Sequence, residues 1–274
     1  MSNNQYFYLI SGLPDLSLQG SDLPFSSKIF LDEMESKIEK EDFKLVCMLY
    51  YPKDNRNILQ ILFNKNDMMK PEGRYSLLKL KKGVGENVLL PFYMSDFITE
   101  FNENKNSFTE TEWETKLTKA YFKETMNTRN EFLNQWMEFE FNLKNILLVL
   151  SNRKHALPFS DIVIEVNETA TLLKQGLPAE FSTEPSLDFI SQAVKIIETE
   201  NLIDREKKID ALRWKKLEEM TVFNYFTVET ILCFIIKLMI IERWKMLTQE
   251  EVKDLLPSML YAFTEKIKIA EVEN

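Results

Sequence analysis

The 274-residue chain contains a single histidine, His155, and only two cysteines, Cys47 and Cys233. One imidazole excludes an HExxH metal site and leaves at most one histidine for any Ser-His-Asp arrangement. The cysteines lie far apart in no CxxC or zinc-ligand pattern, so they are expected to be buried small hydrophobes of a reducing compartment. Glycine (6) and proline (9) are scarce, which argues against an all-β fold punctuated by Gly/Pro turns and against disorder. Basic residues are also in deficit, 34 against 43 acidic ones for a net charge of -9, which disfavours nucleic acid or anionic lipid as the main partner and leaves only a local patch for any basic contact. No long apolar run is present. The most apolar stretch, Val222 to Ile241, is interrupted by Asn224, Glu229 and Lys237, falls short of the ~18 residues of a spanning helix, and reads as a buried core helix. Met1 to Gln5 lacks the basic and apolar regions of a signal peptide, so a cytoplasmic location is expected.

What is present is helical patterning. With 45% hydrophobic and 28% charged residues the chain can bury a large core, and no glycine or proline occurs from Phe92 to Leu157 or from Ser186 to Leu256. These stretches predict sets of long helices, and the fold class is all-α. Phe132, Trp136, Phe139, Leu143, Ile146, Leu147 and Leu150 recur at steps of three and four and form one stripe. Trp113, Leu117, Ala120 and Tyr121 begin the same pattern behind a capping box at Ser107/Glu110 or Thr109/Glu112, and Thr248/Glu251 predicts a last helix running to about Ala270. Breakers gather at Gly12 to Pro24, Lys70 to Pro91 and Pro158 to Pro185, which read as loops between lobes that pack as one body. The aromatic run Tyr6 to Ile10 fits either a short strand or a helical turn.

One internal repeat stands out. Residues 54–62 and 142–150 share the pattern [DN]-x-x-N-I-L-x-[IV]-L. In each copy the first polar residue can bond a helical turn while the apolar positions face a core. Asn57 and Asn145 are therefore expected at equivalent places, with Ile58, Leu59, Ile146 and Leu147 turned inward.

Motifs that could carry chemistry are weak. Gly83-Val84-Gly85 lacks the third glycine of a phosphate loop and follows no apolar strand, so a turn is expected there. Lys79, Lys81 and Lys82 read as a solvated loop edge. His155 follows Arg153 and Lys154 before Pro158, where cations complement a helix C-terminus. Carboxylates spaced by two, such as Glu138 and Glu140, do not share a helix face and form no ready acid/base pair. From Asp204 to Glu219 charges of both signs alternate, with Asp204/Lys208 and Lys215/Glu219 at i,i+4, as on a solvated helix face. Arg213, Trp214, Arg243 and Trp244 are of the types enriched at interface centres. They can be partner-binding anchors or, alternatively, tryptophans closing a core edge beside arginines packed by their stems.

Several segments together resemble the C/d-type family of rotary V-type and A-type ATPase components, named C in the archaeal enzymes and d in the eukaryotic ones. The likeness is nearest to a shorter bacterial branch associated with V-type ATPase clusters in Bacteroidetes-like bacteria. The residues that carry it are Tyr8-Leu9-Ile10-Ser11-Gly12-Leu13-Pro14-Asp15, Asp54-Asn55-x-Asn57-Ile58-Leu59, and Phe141-Asn142-x-x-Asn145-Ile146-Leu147. To these are added Asp204-Arg205-Glu206-Lys207-Lys208-Ile209-Asp210, Leu212-Arg213-Trp214, Phe223-Asn224-Tyr225-Phe226-Thr227, and Ile241-Glu242-Arg243-Trp244.

The resemblance implies a funnel-like body of three related helical lobes, here 1–34 with 205–274, 35–106, and 107–204. It implies a non-catalytic socket between the central stalk and the membrane rotor ring, without nucleotide, metal or cofactor. Such a component is peripheral on the cytoplasmic face of the inner membrane, where it serves ion or proton transport through its protein partners. The other reading of the same residues is a helical adaptor or scaffold for an unrelated protein. A hydrolase reading finds no assembled nucleophile and base.

Overall fold

The computed structural model describes residues 6–18, 25–65, 73–86, 90–176 and 188–248. Twelve helices and no strand occur among them, so the chain is all-α. The first helices are α1 (Phe7–Ser11), α2 (Ser27–Lys37), α3 (Lys40–Met48) and α4 (Tyr51–Leu62). The aromatic start is thus helical. Next come α5 (Leu77–Glu86), α6 (Phe92–Asn104), α7 (Glu110–Thr125) and the long α8 (Glu131–Lys154). The chain then continues through α9 (Glu168–Lys174), α10 (Ile190–Ile197), α11 (Leu202–Thr221) and α12 (Val228–Thr248).

Packing proceeds largely between neighbours in sequence. Helix α4 lies on α5 and α7, α6 on α7, α7 on α8, and α8 on α9 and α10. Helix α10 meets α11, α11 meets α12, and α12 returns to α2, α3 and α8. One continuous apolar core runs through all of these contacts. Helix α12 closes it: Ile231, Leu232, Ile235 and Leu238 are fully buried, and no helix among the described residues is long and apolar enough to cross a membrane. The apolar run expected from Val222 becomes helix only at Val228. Residues 222–227 form a turn instead, in which Asn224 N–H donates to Thr221 O (3.0 Å) and the Thr230 hydroxyl donates to Asn224 O (2.8 Å).

Local rules account for the helix ends. Thr109, not Ser107, starts α7: its hydroxyl accepts from Glu112 N–H while the Glu112 carboxylate accepts from Thr109 N–H, closing a capping box. Ser26, Asn130, Asn167 and Asn201 cap α2, α8, α9 and α11 with a side-chain oxygen that accepts from a backbone N–H of the first turn. His155 is the C-terminal cap residue of α8, behind Arg153 and Lys154. On α7, Trp113 is fully buried among the rings of Phe97, Phe101 and Phe108, at centroid distances of 5.6, 5.0 and 5.0 Å. The Thr248/Glu251 box and the helix expected after it lie outside the described residues.

Gly83-Val84-Gly85 is not a turn, because it sits inside α5, and Lys79, Lys81 and Lys82 stand on that helix, not on a loop edge. The first glycine serves packing, not a turn. Gly83 lies so close to Leu90 that an added Cβ would come within 2.5 Å of its Cδ1, so the helix packs on Leu90 at a position only glycine fits without displacement.

The two copies of the repeat fall on α4 and α8, and their polar residues are buried in both. Asp54 accepts from the backbone N–H groups of Arg74 (3.0 Å) and Tyr75 (3.1 Å). Asn145 accepts from Ile164 N–H (3.2 Å) and donates to Ile164 O (2.9 Å), and Asn142 accepts from the Asn167 side chain (2.9 Å). Each helix thereby ties down backbone 19 to 21 residues further on, just before α5 or α9 begins. Ile58 and Ile146 are fully buried, whereas Leu59 and Leu147 are half-buried against the same core. Gly73 belongs to the first tie, since a Cβ there would lie 1.9 Å from Asp54 Oδ1.

Candidate partner-binding site

Arg213 of α11 and Arg243 of α12 meet at Asp210 between two helices that pack side by side, whereas Trp214 and Trp244 stand apart, beside Lys237 and Lys207 respectively. Asp210 is the hinge of the cluster. On α11 it stands one turn before Arg213, and it is buried, with 1% of its surface exposed. Arg213 grips Glu140 of α8 with two parallel bonds, Nε to Oε1 at 2.7 Å and Nη2 to Oε2 at 3.0 Å, and its Nη1 reaches Asp210 Oδ1 at 3.1 Å. Arg243 donates through Nε to Asp210 Oδ2 (3.1 Å), through Nη1 to Glu206 Oε2 (2.8 Å), and through Nη2 again to Asp210 Oδ2.

The network therefore holds two guanidiniums against three carboxylates and staples α8, α11 and α12 together. Fork-to-fork geometry of this kind is the strongest ion-pair arrangement available to arginine. Burial alone would draw the Arg213 pKa down, but the charges and hydrogen bonds of Glu140 and Asp210 prevail and push it further up, so it stays cationic.

The tryptophans differ from each other. Trp214 is buried at 7% exposure and donates from Nε1 to Glu218 Oε1 (2.8 Å), while Lys237 Nζ lies 4.5 Å from its ring centroid. Trp244 is only partly buried, packs on the core, and has Lys207 Nζ 5.7 Å from its ring centroid. A partner can reach the outer part of Arg243 and the edge of Trp244. Arg213 and Trp214 face inward.

Other ionisable groups are held out of reactive states. Burial pushes the Cys47 thiol up to about 11 and also raises that of Cys233, so neither is a ready thiolate at neutral pH. Burial likewise pushes Asp54 up to about 6, against the lowering pull of the two backbone N–H groups it accepts. Among the described residues no group of three His, Cys, Asp or Glu stands close enough to hold a metal ion.

Two features are not evident from the sequence. The charged run on α11 is not solvated throughout, because Asp210 is internal; the signal lay in its i,i+3 spacing to Arg213 and in a second arginine one helix later. Of the two expected i,i+4 pairs, Lys215–Glu219 is present at 3.6 Å, whereas Lys208 turns to the Thr199 hydroxyl (2.9 Å). The second feature is the turn at 222–226, whose aromatic residues stand in solvent with Phe223 86% and Tyr225 68% exposed.

A family model described as "Protein of unknown function (DUF2764)" matches residues 3–263. No curated protein and no solved structure matches the chain.

Proposed function

We propose that this chain, which belongs to the DUF2764 family, is a non-catalytic coupling component of a rotary V/A-type ATPase, a socket that links the central stalk to the membrane rotor ring. The observation that carries the reading is the repeated tie on α4 and α8. The motifs that support the C/d-type likeness, Asp54-Asn55-x-Asn57-Ile58-Leu59 and Asn142-x-x-Asn145-Ile146-Leu147, are the ones whose buried polar residues fasten a returning segment in two places. A tie in the same place of each copy, made by Asp54 in the first and by Asn145, aligned with Asn57, in the second, supports related lobes built from one packing unit.

A torque-bearing part needs stiffness more than chemistry. The α8–α11–α12 ion network and the continuous aromatic core supply stiffness. In this reading Arg243 and Trp244 form the accessible part of the stalk or ring contact, with Arg213 and Trp214 holding them in place from behind.

The test is affinity purification of the tagged chain from native membranes under gentle, low-salt extraction, with mass spectrometry of what accompanies it. Headpiece, stalk and ring proteins are expected. Their reproducible absence overturns the proposal.

A further inference from the structure

At one end of the molecule two charge-free segments meet, residues 6–14 and 220–228, in a chain that is otherwise 28% charged. They are fastened to each other. Tyr6 N–H donates to Phe226 O (3.2 Å), and the Phe7 and Phe226 rings lie 4.7 Å apart. Tyr6 is itself anchored, since its hydroxyl donates to Asp42 and accepts from Glu39 N–H (3.3 Å). The turn is braced in addition by the Thr230 hydroxyl on Asn224 O.

On this rigid base Phe7 (44%), Tyr8 (92%), Phe223 (86%) and Tyr225 (68%) project into solvent. Aromatic side chains carry about 150–250 Å² each, so these four present on the order of 400–700 Å² of ring surface. That matches or exceeds the largest apolar patch of an ordinary monomer, ~300–600 Å². Beside Tyr8 an open hollow of about 590 Å³, lined by Leu9, Leu13, Phe25, Phe30 and Met34, extends the apolar ground. The Glu33–Lys37 pair, at 2.7 Å, stands at this hollow and closes its charges on each other.

The chemistry of the patch selects its occupant. A braced set of exposed rings is suited to a soft medium more than to a narrow groove. Tyr8 and Tyr225 each join an apolar body to a polar tip, the character of side chains that settle at a membrane–water boundary. The net charge of -9 opposes an anionic surface. Two copies facing each other through these rings would bury about 800–1,400 Å² in all, which passes the ~1,200 Å² where stable interfaces begin only at its upper end, and would bring two acidic chains together.

We propose that the end formed by α1 and the α11–α12 turn docks on a neutral, zwitterionic phospholipid surface, with Phe223, Tyr225, Phe7 and Tyr8 entering the headgroup region. This stands on different residues from the coupling role, and its test uses no rotary component, so either can fail alone.

The experiment is co-sedimentation of the full chain with extruded phosphatidylcholine vesicles at low and moderate salt. The double variant Phe223→Ser/Tyr225→Ser and the control Leu78→Ser, an exposed apolar residue on α5, are measured alongside, and circular dichroism checks that each is folded. Salt-insensitive binding by the wild type, unchanged in Leu78→Ser and weakened at least tenfold in the double variant, is expected. No binding to phosphatidylcholine, binding only when phosphatidylserine is added, or equal loss in both variants overturns the proposal. So does a concentration-dependent dimer in sedimentation equilibrium that the double variant dissolves, which would make the patch a self-association face.

Discussion

The pair α11–α12 carries two regions of opposite character. Midway along it, Asp210, Arg213 and Arg243 join with Glu140 and Glu206 in a network whose charges answer one another inside the chain. At the connecting turn Phe223 and Tyr225 have no charge near them in sequence and face solvent. The difference teaches that on this helix pair the charges of Asp210, Arg213 and Arg243 are answered within the chain, while the rings of Phe223 and Tyr225 are left to solvent. Counting charges along the sequence would assign these roles the other way round.

The largest effect should come from breaking the network at its hinge. Asp210→Ala removes the buried carboxylate shared by two guanidiniums that keep Glu140 and Glu206 and are partly exposed, so the cost is about 3 kcal/mol, the low end for breaking a buried pair. Chemical denaturation should report a loss of that size. A loss under ~1 kcal/mol, the level of an exposed pair such as Lys44–Glu41, would contradict the internal role of Asp210.

The two tryptophans sharpen the contrast. Trp214→Ala empties a buried position and should lower stability by about 3 kcal/mol or more. Trp244→Ala, at a half-buried position, should cost clearly less stability yet weaken stalk binding by ~2 kcal/mol or more if it is an interface anchor. Thermal melts paired with a stalk-binding titration separate the two. If Trp244→Ala folds and binds normally, its assignment as an anchor is wrong and it is core-edge packing.

A smaller effect distinguishes two buried carboxylates. Asp210 faces guanidiniums, whereas Asp54 is held mainly by backbone N–H groups, and burial sets its folded pKa at about 6 against an ordinary value of 3.8. The folded chain therefore binds this proton more tightly than the unfolded one. Its stabilising contribution is complete below about pH 3.8 and is lost as pH rises through 6. Between pH 7 and pH 4 the wild type should gain about 2–3 kcal/mol relative to Asp54→Asn. Parallel stability profiles for the two proteins would show that Asp54 does not titrate in this window.

Much of the fold was legible in the sequence because it follows local periodicity. The stripe of Phe132, Trp136, Phe139, Leu143 and Ile146 is buried along α8 as its spacing requires, and the Thr109/Glu112 box starts α7. What escaped depends on contacts between distant segments. Gly83 packs on Leu90 from within a helix, and Asp210 is held by Arg243, 33 residues away. The outward turn at 222–226 was hidden by its composition, since apolar residues beside an apolar helix read as more of that helix. Of the candidate site, the two Arg-Trp pairs were visible in the sequence, but that Trp214 on α11 is buried while Arg243 and Trp244 on α12 stay partly exposed was set by packing that the linear sequence does not display.

The central claim is that this chain couples a stalk to a membrane ring. It is met most directly by quantifying rotary components that co-purify with the wild type and with Trp244→Ala from native membranes at low salt. The account predicts central-stalk and ring proteins in fixed proportion to the wild-type chain and a marked fall in the Trp244→Ala eluate. Recovery of the folded wild type without either component, in repeated gentle extractions, would contradict it.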